Sequence, residues 1–335
     1  MIEQRYLSFS LLRHIAIAMT GAAIIAGTAN AQDPVHRFVT HGRAETVIAN
    51  LYTCPVAVRN HRVSAVGEIT ATDGTRIRVP ADTIFQKEIH RKSADLFNEC
   101  NSVTSPERTD VSTLNVDVVE VDDDGDADGE IITGYIVADN YFELYVNGKL
   151  VAVDPIPFTP FNSVIVKFRA KRPITYAFKL VDWEEHLGLG MELNAGNPWH
   201  AGDGGLVARF SDGTVTDSSW KAQSFYIAPL DSAEQVLERG NVHDTTALGR
   251  VHPYAKVPAC RDRCYAVHYP MPAGWALPSF DDSRWPRAYE YTDAEVGVTN
   301  VAAYTGYRAL FAGARWLWTV NLVFDNMVLA RTTVR

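Results

Sequence analysis

The segment from Asp139 to Gly148, DNYFELYVNG, alternates polar and apolar side chains with the period of two that is typical of a β-strand. One face consists of Phe142, Leu144 and Val146, and the other of Tyr141, Glu143 and Tyr145. Asn147 and Gly148 both tolerate positive φ, and a two-residue turn of this kind matches the twist of paired strands. The pattern therefore predicts a β-hairpin in which residues 149–153 return antiparallel.

Similar patterns recur along the chain. Residues 66–79, VGEITATDGTRIRV, predict two strands joined at Asp73-Gly74, and residues 164–170 and 174–182 predict a second pair rich in β-branched and aromatic side chains. The chain has 335 residues, of which 47% are hydrophobic, which is enough for a large core. These patterns predict an all-β fold.

Three segments together carry a resemblance to a known family. They are DNYFELYVNG at 139–148, DGTVTDSSWK at 212–221 and FDDSRW at 280–285. The combination resembles the galactose-binding-like module, an antiparallel jelly-roll sandwich found in secreted glycosidases and cell-surface proteins. In that family the FDDSxW and WxW pieces precede the Asn-Gly hairpin, whereas here FDDSRW and the RWLW of 315–318 follow it. The motif order is therefore circularly permuted relative to the family.

The resemblance covers roughly residues 115–335 and implies a galactose-binding-like β-sandwich there, with accessory ligand binding rather than catalysis as its role. Residues 32–114 are expected to form a small N-terminal β-hairpin region with a disulfide, either as an extension packed on the sandwich or as an independent unit. In the family the aspartates of FDDSRW form a turn, and the tryptophan fills the sandwich.

The first 31 residues have the pattern of a signal peptide. Arg5 and Arg13 form a basic start, residues 15–25 are apolar, and Ala29-Asn30-Ala31 has the form of a cleavage site. A transmembrane anchor is the competing interpretation, but the apolar stretch is short for a bilayer. We expect a secreted or periplasmic protein that has no membrane insertion after signal cleavage. The formal net charge of −9 disfavours nucleic acid as a partner.

The four cysteines, Cys54, Cys100, Cys260 and Cys264, all follow the predicted leader. An even number in an oxidising compartment predicts two disulfides, and local pairing favours Cys54 with Cys100 and Cys260 with Cys264. A metal cluster formed by the second pair with His268 is the alternative. A redox role is disfavoured because the spacing is not C-x-x-C.

An acidic stretch precedes the predicted sandwich. Asp124, Asp126 and Asp128 occupy positions 1, 3 and 5 of a calcium-loop pattern, and Gly129 occupies position 6. Position 12, which should supply a bidentate carboxylate, is Tyr135. Calcium is therefore a possible cofactor, with the missing ligand supplied from elsewhere; the alternative is a solvated acidic connector.

The polar, glycine-rich segment 182–205 is the predicted binding region, because loops on a rigid sandwich concentrate binding groups. Its candidates, together with Tyr141, are Trp183, Glu185, Trp199, His200 and Asp203. The tryptophans could stack on a sugar beside carboxylates that accept hydroxyl hydrogen bonds. Glu185, His186, His200 and Asp203 could instead bind a divalent metal. In the third interpretation the glycines build a crossover and the tryptophans cover the core.

No complete catalytic motif is present, neither a G-x-S-x-G nor an H-E-x-x-H nor a P-loop. A carboxylate pair for glycoside hydrolysis, drawn from Asp182, Glu184 or Glu185 with Glu192, is still compatible with the sequence. The sequence favours an exported, non-catalytic protein that binds carbohydrate or another cell-surface ligand. The alternatives are an exported metal-dependent enzyme, a hydrolase or oxidase, that uses the 182–203 loop, and a structural envelope protein.

Overall fold

The fold is built almost entirely from antiparallel strands, which confirms the all-β prediction. The computed structural model describes residues 36–51, 64–80, 94–97, 110–122, 128–154, 162–192, 199–249 and 259–335. The predicted signal peptide, Cys54, Cys100, Asp124 and Asp126 lie outside these residues, so the predictions that rest on them stay predictions. Within the described residues, no helix is long and apolar enough to span a membrane.

Two large sheets form the sandwich. The first has the order β1-β18-β15-β21-β11-β8-β9. Its strands are β1 (Phe38–His41), β18 (Tyr265–His268), β15 (Lys221–Leu230), β21 (Asp325–Val334), β11 (Ile174–Val181), β8 (Tyr141–Val146) and β9 (Lys149–Val153). The strands predicted over 141–153 and 174–182 are therefore confirmed. The turn between β8 and β9 has positive φ at Asn147 and Gly148, as the Asn-Gly pattern requires.

The second sheet has the order β19-β20-β14-β7-β10-β5, and β6 pairs with β10 in parallel. Its strands are β19 (Tyr289–Tyr291), β20 (Trp316–Trp318), β14 (Gly205–Phe210), β7 (Glu130–Asp139), β10 (Ser163–Ala170), β5 (Ala94–Phe97) and β6 (Val118–Glu120). A one-turn helix, α1 (Ala302–Thr305), packs near β5.

Three small sheets complete the described strands. A three-stranded sheet contains β2 (Glu45–Ile48), β3 (Val66–Thr70) and β4 (Arg76–Val79), and confirms the hairpin predicted at Asp73-Gly74. Two-stranded ribbons form between β12 (Met191–Glu192) and β13 (His200–Ala201), and between β16 (Leu237–Arg239) and β17 (Val242–Asp244).

The main hydrophobic core lies between the two large sheets. Inward side chains of β8 and β11, such as Phe142 and Phe178, meet Phe210 of β14 and Trp318 of β20. The predicted alternation in β8 is confirmed, since Phe142, Leu144 and Val146 all belong to this core. The antiparallel sandwich follows from it, because each sheet buries one apolar face against the other.

A second hydrophobic layer covers the outer face of the first sheet. Tyr141 and Leu329 on that face pack with Trp183, with Val66 of the small sheet and with Trp285 of the 269–288 segment. The first sheet is therefore buried on both sides. This explains why β11 is buried along its whole length rather than in alternation.

Two strands of the N-terminal region pair with strands of the sandwich. β1 pairs with β18 in the first sheet, and β5 pairs with β10 in the second. Residues Val35–Arg335 form one compact unit. The sequence pattern from Ser93 also suggests a helical turn; this is wrong for residues 94–97, which extend as an edge strand because their backbone groups pair with β10.

Candidate functional site

The loop after β11 turns its aromatic side chain inward. Trp183 is 1% exposed, and its indole N–H donates to the Ala65 carbonyl oxygen at 2.9 Å. Tyr141 is fully buried and contacts Trp183 edge to face, with 5.7 Å between ring centroids. Neither ring presents a face to solvent. The predictions that Trp183 stacks on a sugar and that Tyr141 belongs to the binding site are therefore corrected: both residues belong to the layer that covers the outer face of the first sheet.

Glu184 organises the turn that follows. Its carboxylate accepts hydrogen bonds from the backbone N–H groups of Gly188 and Leu189, each at 2.9 Å, from that of Gly190, and from the Tyr226 hydroxyl at 2.8 Å. Burial raises the pKa of Glu184 to about 7, although these hydrogen bonds act in the opposite direction. Every partner of this carboxylate belongs to the chain itself, so its role is to hold the loop.

A group of acidic side chains lies beside this turn, which we call the acidic cluster: Asp139, Asp182, Glu192 and Asp203. Asp182 is 4% exposed, and burial, followed by the negative charges of Asp139, Glu192 and Asp203, raises its pKa well above the usual value. A Cβ atom at position 202 would lie 2.8 Å from the Asp182 carboxylate, so Gly202 is needed for this close approach. A buried acid among like charges is favoured in its protonated, neutral form.

The remaining predicted residues of the loop are distributed around the cluster. His200 on β13 is buried and faces Glu192 on β12, with 3.5 Å between Nε2 and Oε1. Asp203 is half-buried and adds its charge to the environment of Asp182. Glu185 is half-buried, and its backbone N–H donates to the Met191 carbonyl oxygen. The fold thus brings His200 and Asp203 toward Asp182.

Trp199 is half-buried and packs within the chain. Its ring lies against His186, with 4.7 Å between centroids, and it contacts the small hydrophobic cluster around Leu189 and Cys264. Cys260 and Cys264 form a disulfide, as predicted. The disulfide therefore lies behind the loop and supports it, and the alternative of a metal cluster at these two cysteines is wrong.

Among the described residues, no group of three or more His, Cys, Asp or Glu side chains has an arrangement that could hold a metal ion. The metal centre suggested for Glu185, His186, His200 and Asp203 is therefore not formed by these side chains. His186 instead lies 3.4 Å from Asp262, and burial lowers its pKa. Asp128, the one described member of the calcium pattern, is exposed, and calcium stays a prediction.

A different part of the molecule contains an open pocket of about 400 Å³, which we call the aromatic pocket. Its lining consists of His36, Gln223, Phe225, Asn241, His243, Tyr269, Pro270, Pro272, Phe280, Asp281, Arg284 and Trp285. The volume lies within the range of roughly 300–1,000 Å³ that is typical of small-ligand sites. The pocket sits on the outer face of the first sheet, between β15, β17 and the 269–285 segment.

The aromatic side chains of the pocket contact one another. Trp285 lies between Phe225 and Phe280, with centroid separations of 5.8 and 5.4 Å. The His243 ring stacks on Tyr269 with 3.4 Å between centroids and an interplanar angle of 7°. Phe280 is the half-exposed member of this group, so it forms the wall that a ligand would meet first.

Two polar side chains deep in the pocket are held by the backbone. His243 Nδ1 lies 2.5 Å from the Ser224 carbonyl oxygen, and Gln223 Nε2 donates to the Asn241 carbonyl oxygen at 2.5 Å. Burial lowers the pKa of His243 to about 4, so the ring is neutral near pH 7. Asp281 and Arg284 are exposed and lie at the pocket rim.

The 277–282 segment, which carries Phe280, is fixed by a buried arginine. Arg331 on β21 is 1% exposed, and its guanidinium donates to the carbonyl oxygens of Leu277 and Phe280 at 3.2 and 3.3 Å. It also lies 3.0 Å from Asp282 and 5.1 Å from the Phe280 ring centre. The wall of the pocket is thus preorganised by the sheet beneath it.

Sequence reasoning missed this pocket, although it singled out FDDSRW. Phe280 and Trp285 come from that motif, whereas Phe225 lies on β15 and His243 on β17, and only the fold brings these strands beside the motif. The one available signal was a high density of aromatic residues and prolines in 265–285, which also fits a structural role. Comparison with known proteins adds no assignment, since no family model, curated protein or solved structure matches the chain.

Proposed function

We propose that the protein is an exported, non-catalytic β-sandwich that binds carbohydrate, and that the aromatic pocket is its binding site. The observation that carries the proposal is the combination of a half-exposed aromatic wall, Phe280, with polar side chains at the pocket floor and rim. A pyranose ring has apolar C–H faces and a periphery of hydroxyl groups. Stacking on an aromatic wall and hydrogen bonding to fixed polar groups match these two features.

The binding residues differ from those predicted from the sequence. Trp183 and Tyr141 are buried, whereas Phe280 is half-exposed and has Asp281 and Arg284 beside it. Arg331 holds this wall in place, so little ordering of the backbone is needed on binding. Export is supported by the disulfide between Cys260 and Cys264, since disulfides persist in oxidising compartments.

Binding of the full chain to an array of immobilised oligosaccharides tests the proposal. We expect binding to at least one glycan, and a loss of about tenfold in affinity for Phe280→Ala, because the stacking surface is removed. Tyr289→Ala is the matched control: Tyr289 is an aromatic residue that is 39% exposed on β19, outside the pocket. It should bind like the wild type.

Circular dichroism and thermal unfolding of both variants establish that the fold is retained. Equal affinity of wild type and Phe280→Ala for every glycan, or the absence of glycan binding, would overturn the proposal. Binding that Phe280→Ala retains but a Trp199→Ala variant loses would move the site back to the 182–203 loop.

A further inference from the structure

The floor of the aromatic pocket contains two polar side chains, His243 and Gln223, that each donate a hydrogen bond to a backbone carbonyl oxygen. The Ser224 carbonyl oxygen can only accept a hydrogen bond, so the nearby Nδ1 of His243 must carry the proton. In the neutral ring the other nitrogen, Nε2, then has only a lone pair. The low pKa of His243 agrees with a neutral ring.

Gln223 is constrained in the same way. Its side-chain group facing the Asn241 carbonyl oxygen must be the NH₂ group, because two carbonyl oxygens would repel each other. The amide oxygen of Gln223 therefore points away from that carbonyl. Both side chains line the pocket, and both reach it with an acceptor atom available.

We propose that the aromatic pocket recognises the hydroxyl groups of a neutral terminal sugar, which donate hydrogen bonds to Nε2 of His243 and to the amide oxygen of Gln223. The inference rests on the proposed function and specifies its ligand class. A carboxylate at these two acceptor atoms is disfavoured, because its oxygens would face the lone pairs of His243 Nε2 and of the Gln223 amide oxygen. Arg284 at the rim lies beside Asp281, so the rim adds charges of both signs rather than a net positive field.

The contacts of His243 hold its ring, and therefore the acceptor atom Nε2, in a fixed position. Its ring is stacked on Tyr269, and the Tyr269 hydroxyl donates to Glu238 at 3.1 Å, so neither ring rotates without breaking a buried contact. The Gln223 side chain is 2% exposed on β15. A ligand must therefore present donors at fixed positions, and sugars that carry an axial or equatorial hydroxyl at those positions are distinguished by geometry.

The test measures binding of the full chain to oligosaccharides that differ only in the terminal residue. One pair ends in glucose or glucuronic acid, and the other ends in galactose or galacturonic acid. We expect the neutral termini to bind best and the uronic acids to bind at least about tenfold more weakly, the size of one lost hydrogen bond together with an unpaired group. Stronger binding of the uronic acid termini overturns the inference.

A second measurement uses monodeoxy analogues of the best neutral terminus. Removal of the hydroxyl at one or two positions of the sugar should weaken binding to the wild type about tenfold. In His243→Phe, which preserves a ring stacked on Tyr269, the parent sugar and the deoxy analogue should bind equally at one of these positions. Equal affinity of all deoxy analogues for the wild type overturns the inference without using a variant. If the proposed function itself fails, Phe280→Ala changes the affinity for no glycan. If only this inference fails, Phe280→Ala still weakens glycan binding, whereas the deoxy analogues bind equally.

Discussion

The 182–203 loop resembles a binding site in its sequence but is largely buried, whereas the aromatic pocket is open to solvent but is not recognisable from the sequence. The loop has the density of charged and aromatic residues expected of a binding site, yet Trp183, Asp182 and His200 are all buried. The pocket is assembled from segments far apart in the chain and keeps Phe280, Asp281 and Arg284 at its opening. The comparison teaches that polar residues in a loop can be the interior of a second layer rather than a surface.

The physical reason lies in the first sheet, which is covered on both faces. A sheet with one solvated face would leave Tyr141 and Trp183 available to a ligand. Here the β2-β3-β4 sheet and the 269–288 segment pack on that face, and the aromatic pocket opens beside them.

The largest effect is expected for Trp183→Ala. Removal of a fully buried indole that also donates to Ala65 should lower the free energy of unfolding by about 3–5 kcal/mol, measured by urea denaturation. Phe280→Ala, at a half-exposed position, should cost much less, and Tyr289→Ala should cost the least. A small effect of Trp183→Ala on stability would show that the ring is not part of the core.

Glu184 should make the loop region sensitive to alkaline conditions. Its pKa is raised from 4.5 to about 7, so the folded state binds the proton more tightly than the unfolded state does. The stability from this group is present below pH 4.5 and is lost as the pH rises through about 7, an effect of about 3 kcal/mol.

Glu184→Gln, a neutral isostere, isolates this effect. Its free energy of unfolding relative to the wild type should increase from pH 5 to pH 8. The half-buried neighbour provides the matched control, since Glu185→Gln should follow the wild-type curve. A difference between wild type and Glu184→Gln that is constant with pH would contradict the assignment.

His243 should give the pocket the opposite pH dependence. Burial lowers its pKa to about 4, so the unfolded state binds the proton more tightly. Stability is present above pH 6.5 and is lost as the pH falls toward 4, by about 3 kcal/mol. His243→Phe should remove this loss in urea denaturation at pH 7 and pH 4.5. An unchanged pH dependence would mean that folding does not shift the pKa of His243.

The smallest effect is expected for the Cys260–Cys264 disulfide, which closes a very short loop behind Trp199. The double variant Cys260→Ser/Cys264→Ser should lose at most about 2 kcal/mol of unfolding free energy. Near-UV circular dichroism should register a local change, because Trp199 and Cys260 share one cluster. A loss as large as that of Trp183→Ala would indicate that the loop depends on the disulfide rather than on the second hydrophobic layer.

Much of the fold was predictable from local patterns. The Asn147-Gly148 and Asp73-Gly74 turns, and the strands beside them, follow from side-chain alternation and from residues that tolerate positive φ. The candidate site was predictable only in part. The close pairing of Cys260 and Cys264 was expected. The burial of Trp183 was one of three open interpretations of the 182–205 segment, and the sequence could not choose among them, because Asp, Glu and Gly around a tryptophan are also typical of exposed loops.

The amino-acid sequence by itself determined the secondary structure class, the tight turns and the inward face of β8, since these depend on neighbours a few residues apart. Only the tertiary structure decided which aromatic residues meet solvent, because that depends on a second layer whose strands and segments are distant in the chain. The same layer fixes the proton positions of His243 and Gln223 through the carbonyl oxygens of Ser224 and Asn241. Exposure and hydrogen-bond polarity are properties of that packing, and local sequence patterns do not encode them.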